Sequence, residues 1–217
     1  MASSPPPIKE AEMKESGILF RTEMVVAILR EDDPKTQTRR IPSSFKPVNL
    51  IPDNWFVKKV DGRVGAVYFA RRISKSRYPR ISKSELEVKL PYCIGDRLWV
   101  RETYYSSVTN KSVLGYKADG KIPSSPYNIH HSIFMPKWAS RIILEITDVK
   151  VERLQDITFY DAVREGMKEG TGPESGYSID LYKTLWDSIN GKKYPWKSNP
   201  WLWVIQFKKL SISGGKR

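Results

Sequence analysis

Cysteine is all but absent from this chain of 217 residues, where Cys93 stands alone. A lone thiol excludes an intrachain disulfide and any zinc site built on several thiolates, and it fits a reducing compartment. It reads as a small apolar residue, since nothing local marks it as a nucleophile. Histidine is equally scarce, with only His130 and His131. As neighbours they point to opposite faces of an extended chain, and with no Cys or acidic residue at ligand spacing the expectation is no metal and no cofactor. Long hydrophobic runs are missing as well. The longest, such as Trp201-Leu202-Trp203-Val204-Ile205, fall far short of the roughly 18 to 20 residues that cross a bilayer. No membrane is therefore expected among the partners. The first sixteen residues hold three prolines and five charges but no apolar leader segment, which argues against a secretory signal and for the cytoplasm.

What remains is 40% hydrophobic, enough for one globular domain with a real core. The net charge is +13, and it is unevenly placed. Residues 1–34 carry a net −3, residues 35–90 a net +10 and residues 91–217 a net +6. A concentrated basic segment is the footprint of a protein that meets phosphates, although a solvated face that only confers solubility has the same composition.

Residues 1–16 lack the apolar content to fold and read as a disordered tail, so the domain is expected to span 17–210, with a flexible tail at 211–217. A strand at Ile18-Leu19-Phe20 is followed by a helix from Glu23 to about Arg30, capped by Thr22 and closed at Asp32-Asp33-Pro34. Lys35-Thr36-Gln37-Thr38-Arg39-Arg40 reads as a loop entering a strand. Strands are expected at 55–60 and 66–70, then at 97–102, 113–117, 141–149 and 202–208. Between them, Arg72-Ile73-Ser74-Lys75-Ser76 recurs as Arg80-Ile81-Ser82-Lys83-Ser84. Two copies make no solenoid. The segment at about 71–90 reads as a mobile basic insertion, with Arg72, Lys75, Arg77, Arg80 and Lys83 available to a nucleic-acid backbone. A Thr158-x-x-Asp161 capping box opens a helix that ends before Gly166, and a second helix after Ser178 puts Leu181, Leu185 and Ile189 on one stripe. Short strands with a few helices give an α+β domain built round a small, partly closed β-barrel.

The chain resembles the ASCH-domain family, a branch of the PUA-like fold, and in particular its longer phage and prophage members. The resemblance is carried by Lys35-Thr36-Gln37-Thr38-Arg39-Arg40, Gly95-Asp96-Arg97-Leu98-Trp99-Val100-Arg101-Glu102-Thr103, Met135-Pro136-Lys137-Trp138-Ala139-Ser140-Arg141 and Glu165-Gly166. Leu185-Trp186-Asp187-Ser188-Ile189-Asn190-Gly191 and Asn199-Pro200-Trp201-Leu202-Trp203-Val204-Ile205 complete it. The resemblance implies a mostly antiparallel PUA-like barrel of about five to seven strands flanked by about three helices, with a cleft between them. Members are linked to RNA or modified nucleosides. Small enzymes of the family that deacylate N4-acetylcytidine use a lysine and a threonine of the Lys-Thr-x-Thr loop with a later helical glutamate, which falls here on Lys35, Thr38 and Glu165. Other members are associated with ribonuclease activity or with binding alone. The matched segments also offer Thr36, Arg39, Arg40, Arg101, Trp138, Ser140 and Arg141 as ligand contacts. The expected partners are RNA, another single-stranded nucleic acid or a modified cytidine-type nucleoside. A phage counter-defence protein acting on a host partner is a third reading.

Amide hydrolysis without a metal needs a nucleophile, a base and oxyanion donors. Thr38 supplies a hydroxyl. Lys35 becomes a base if its pKa is driven down, and Arg39 and Arg40 are the neighbouring cations that would do so. Glu165 would shuttle the proton to the leaving amine. On an ideal strand positions 35 and 38 face apart, so their cooperation requires Lys35 to sit in the bend after Pro34. The same side chains equally suit a binding site: Lys35 and the arginines hold phosphates, Thr36 and Thr38 bond a ligand, and Glu165 is a surface partner of Arg164 or Lys168.

Overall fold

The computed structural model describes residues 13–62, 65–72, 81–168 and 176–212. Within them the chain is α+β, with eleven strands in three sheets and four helices. The main sheet has the order β1-β6-β10-β11-β2, formed by Glu15–Leu19, Arg97–Arg101, Ile142–Arg153, Trp201–Ile212 and Gln37–Arg40. Only the β1–β6 pair is parallel. A second sheet is the meander β3 (Trp55–Asp61), β4 (Ala66–Arg72) and β5 (Ile81–Lys89). The third places β7 (Tyr104–Ser107) between β8 (Val113–Tyr116) and β9 (Tyr127–His130). Strand pairing among the described residues forms three open sheets rather than one closed barrel.

The strands outnumber the five to seven expected because several are polar. Lys14 and Glu15 fall within the expected tail, yet the backbone N–H of Lys14 donates to Asp96 Oδ1 at 3.0 Å and its carbonyl accepts from Arg97. Backbone pairing is indifferent to side-chain polarity, so the strand starts ahead of Gly17. At the other end β11 runs through Ile212, past the expected boundary at 210. The second half of the duplication is part of β5 and not a loop, with Ile81 paired to Arg72. Lys83 is therefore a strand residue and Arg72 ends β4, while Lys75, Arg77 and Arg80 lie outside the described residues. Among the described residues no helix is long and apolar enough to cross a membrane.

The apolar run at 201–205 has a simple cause. Trp203, Ile205 and Phe207 of β11 point into the main core with Ile18, Phe20, Val25 and Ile28, whereas Leu202 and Val204 face a second core. A strand covered on both faces has no polar side to alternate. Helix α1 (Thr22–Leu29) covers the first face. Helices α3 (Phe159–Arg164) and α4 (Tyr177–Asn190) cover the second through Ala162, Tyr182 and Trp186, and α2 (Lys46–Asn49) is a single turn. The capping box forms as expected: Thr158 Oγ1 accepts from the Asp161 N–H, and the Asp161 carboxylate accepts from the Thr158 N–H. Thr22, in contrast, is not a cap. Arg21 holds that position without a side-chain bond, and Thr22 is the first helical residue.

Candidate functional site

Strand β2 lies at the edge of the main sheet, pairing with β11 on one side only, Arg40 opposite Trp203 and Thr38 opposite Ile205. Its alternation splits the motif. Arg39 lies level with Val204 on the α3–α4 face, while Thr38 and Arg40 take the other face, where Arg40 sits over the Phe20 ring at 5.1 Å. Lys35 precedes the strand, in the irregular stretch between the bend at 31–33 and Gln37, so strand alternation does not dictate its direction. Its N–H donates to the Ala27 carbonyl, and that of Thr36 to the Arg164 carbonyl, pinning this stretch between the ends of α1 and α3. Gly166 makes the approach feasible. With φ at +94° and Ala27 Cβ only 2.7 Å from where its own Cβ would stand, any side chain there would push α3 off the Lys35 stem.

Lys35 is 2% exposed and Glu165 3%. Lys35 Nζ donates to Glu165 Oε2 and to the Glu165 carbonyl, both at 2.7 Å. Glu165 is thus no surface carboxylate. Its Oε1 accepts from Arg39 at 3.2 Å, and Arg39 also pairs with Glu152 and Asp161. Burial is the chief force pushing the Lys35 ammonium down, Glu165 opposes it, and Arg40 and Arg39 add smaller pushes downward. The arginines expected to tune this lysine are therefore secondary to desolvation. Burial would also lower Arg39, but Glu165, Tyr182 and Glu152 hold it above its ordinary value.

Burial would raise the Asp161 carboxyl, yet hydrogen bonds from Thr158 and the cations Arg39 and Lys150 outweigh it and hold it below the usual range. A carboxyl with a depressed folded pKa adds stability that is present above about pH 4 and lost as pH falls through the folded value. Urea denaturation between pH 2.5 and 5 should therefore show a shallower acid loss of stability in Asp161→Asn than in the wild type. Parallel curves would contradict the assignment.

These groups open on one cavity of about 620 Å³. Lys35, Thr38, Arg39, Arg40 and Glu165 all line it, with Leu19 to Met24 on one side and Tyr182, Leu185, Trp186 and Ile189 of α4 on another. Two of the three residues of the expected α4 stripe, Leu185 and Ile189, line this space, while the buried side chains of α4 are those of Ser178, Tyr182 and Trp186, with Leu181 and Leu185 packed at the edge of the second core. Thr38 is only 4% exposed, and what it exposes faces the cavity; among the described residues its hydroxyl makes no hydrogen bond to protein. Tyr182 escaped the sequence reading. Its ring packs with Trp186 and under Arg39, and burial, with Glu165 beside it, raises its phenol well above the ordinary value, so it stays a neutral donor. Glu152, on β10, was missed too. The only sequence signal for either was polar or aromatic character at a position facing α3 or β2.

The remaining candidates lie elsewhere. Thr36 is half-buried and does not line the cavity; its carbonyl accepts from Phe207. Arg141 makes a two-pronged pair with buried Glu102, also meets Asp119 at 2.7 Å, and covers the Tyr116 ring. Ser140 is buried and donates to the Val100 carbonyl. Both are used by the fold, which links β6 to the segment before β10. Arg101 lies over Trp99 above Gly17. Trp138 is 64% exposed, edge-on to Tyr104. His130 stacks on that same Tyr104 and shares a hydrogen bond with Ser106, and among the described residues no cluster of His, Cys, Asp and Glu has the makings of a metal site. Cys93 is half-buried, and burial with Asp96 nearby pushes its thiol up, away from nucleophilic use. No family model matches the chain, and neither a curated protein nor a solved structure matches it.

Proposed function

We propose that the protein is an ASCH-type, PUA-like domain that binds a nucleoside unit, free or within RNA or another single strand, in the cavity beside β2. The observation that carries the reading is the convergence of Lys35, Thr38, Arg39, Arg40 and Glu165 on one space. About 620 Å³ falls within the roughly 300–1,000 Å³ of small-ligand pockets. The walls suit such a unit: Phe20, Met24, Leu185 and Ile189 offer apolar surface to a base, and Thr38 and Tyr182 offer hydroxyls to its polar edge.

Titration with N4-acetylcytidine and with a single-stranded RNA tests this. Leu185→Arg, which fills the cavity from α4 without touching the buried ion pairs, should weaken both ligands by at least about tenfold, the equivalent of roughly 1.4 kcal/mol. If RNA binds through Z neutralised phosphates, its log affinity should fall against log salt with a slope near −0.7Z. A flat salt response removes the nucleic acid and leaves the free nucleoside; affinity for either ligand untouched by Leu185→Arg removes the cavity.

A second reading, deacylation of an N4-acylcytidine, is favoured by a threonine hydroxyl, Thr38, and a desolvated lysine, Lys35, in the lining of one cavity. Two N–H groups of Lys35 are committed to Glu165, so its remaining valence is an N–H in the ammonium and a lone pair in the amine. In the amine form that lone pair takes the Thr38 proton as Oγ1 attacks the acyl carbon. The bond to the exocyclic nitrogen then breaks, the proton passes to that nitrogen through Glu165, and water releases the acyl group from Thr38.

A further inference from the structure

We propose that Arg40 and Arg21 form a phosphate subsite at one end of the cavity, so that its ligand is a nucleotide or a phosphodiester in preference to a bare nucleoside. The inference rests on the nucleoside reading above and names the ligand class of the same site. Four cations line the cavity: Arg21, Lys35, Arg39 and Arg40. Lys35 and Arg39 meet carboxylates, whereas neither Arg40 nor Arg21 has an acidic partner among the described residues. Strand alternation is the cause for Arg40. It puts that guanidinium on the opposite face of β2 from Arg39 and hence away from Glu152 and Asp161.

Arg40 is nonetheless held in place. One terminal nitrogen donates to the Leu19 carbonyl at 2.6 Å, the plane lies over Phe20, and Nε is buried without a partner. Burial depresses its pKa, and the charge of Glu165, the carboxylate that acts on it most, offsets this only in part. A pre-positioned guanidinium matches two phosphate oxygens at once, and a ligand that brings the anion supplies the missing charge. Arg21 adds an exposed second cation. It reaches Ser188 only at 3.5 Å, and stands at the uncapped, electropositive start of α1. The two carboxylates of the wall do not cancel the site: Glu165 is taken by Lys35 and Arg39, and Glu23 is exposed on the first turn of α1.

The test uses the full chain and three probes: each common ribonucleoside, its 5′-monophosphate, and the matching dinucleoside monophosphate, measured by calorimetry, with inorganic phosphate followed by thermal shift. At least one monophosphate should bind about tenfold or more tighter than its nucleoside, as expected of a charge-assisted pair. That ratio should collapse towards one in Arg40→Gln, recover only in part in Arg40→Lys, and fall to an intermediate value in Arg21→Gln. Arg21 is exposed, so its variant keeps the test open should Arg40→Gln fail to fold. A gain for the dinucleotide as large as for the monoester assigns the subsite to a nucleic-acid backbone; a gain for the monoester alone assigns it to a free nucleotide. Equal affinity of nucleoside and monophosphate overturns the subsite and leaves nucleoside binding standing. A ratio unmoved by Arg40→Gln and Arg21→Gln overturns it as well. A phosphate-induced thermal shift that Arg40→Gln abolishes, with no nucleoside bound, supports the subsite and overturns the nucleoside reading.

Discussion

Glu165→Ala should destabilise the protein by about 3–5 kcal/mol in urea denaturation at pH 7, the cost of leaving a buried charge without its partner. Among the described residues the Lys35 ammonium pairs with no other carboxylate, and the side chains of both partners are nearly inaccessible. An upper limit comes from proton loss. A lysine of ordinary pKa near 10.4 can shed its proton at pH 7 for about 5 kcal/mol, so the folded variant escapes any larger penalty by burying a neutral amine. The sign of the pH dependence follows. Lys35 would then be neutral when folded and protonated when unfolded, so the folded state binds fewer protons and stability rises with pH towards 10. The deficit relative to the wild type should therefore narrow in alkali. Lys35→Met is expected to cost less than Glu165→Ala, because Glu165 retains Arg39 when the lysine goes. The reverse order of the two variants would contradict the network as described.

How much of this was legible depended on whether the signal was local. The Thr158–Asp161 box is written in four consecutive residues and formed as read. A strand was expected at 202–208, and β11 covers it; its burial on both faces explains the unbroken apolar run from Trp201 to Ile205. Strand β5 was hidden because Ser82, Lys83, Ser84, Glu85 and Glu87 give it the composition of a loop; its place is fixed by pairing with β4, a partner that no window over 81–89 contains. The site divides in the same way. Lys35, Thr38 and Glu165 were named through a motif, and all three line one cavity. Arg141 and Ser140 came from an equally plain motif and proved to be bound to Glu102 and to the Val100 carbonyl, contacts that sequence separation concealed. Tyr182 carried no motif at all. It sits one residue beyond Leu181, and only the rotation of α4 against β11 decides which of the two turns towards Arg39.

Thr38 separates an enzyme from a binder with the largest kinetic effect. Its hydroxyl has no protein partner among the described residues, so Thr38→Ala strands no buried polar group and loses little more than a methyl, about 1 kcal/mol of stability. Folding is thus nearly unaffected, and any loss of turnover belongs to the chemistry. If Oγ1 is the nucleophile, acyl release from an N4-acylcytidine should fall by at least about 10⁴-fold in Thr38→Ala, and Lys35→Met with Thr38→Ala should be hardly worse than either alone, since residues acting as one unit are not additive. Thr38→Ser keeps the hydroxyl and should recover most of the rate. Under the same reading Glu165→Gln, which removes the titratable proton that passes to the leaving nitrogen, should slow formation of the acyl adduct on the peptide containing Thr38. If the site only binds, no acylated cytidine yields product with the wild type, and Thr38→Ala appears as a loss of affinity of about tenfold or less, the worth of one neutral hydrogen bond. Turnover undiminished in Thr38→Ala would sink the covalent route and leave water as the nucleophile, with Lys35 and Glu165, already joined at 2.7 Å, as the pair that activates it.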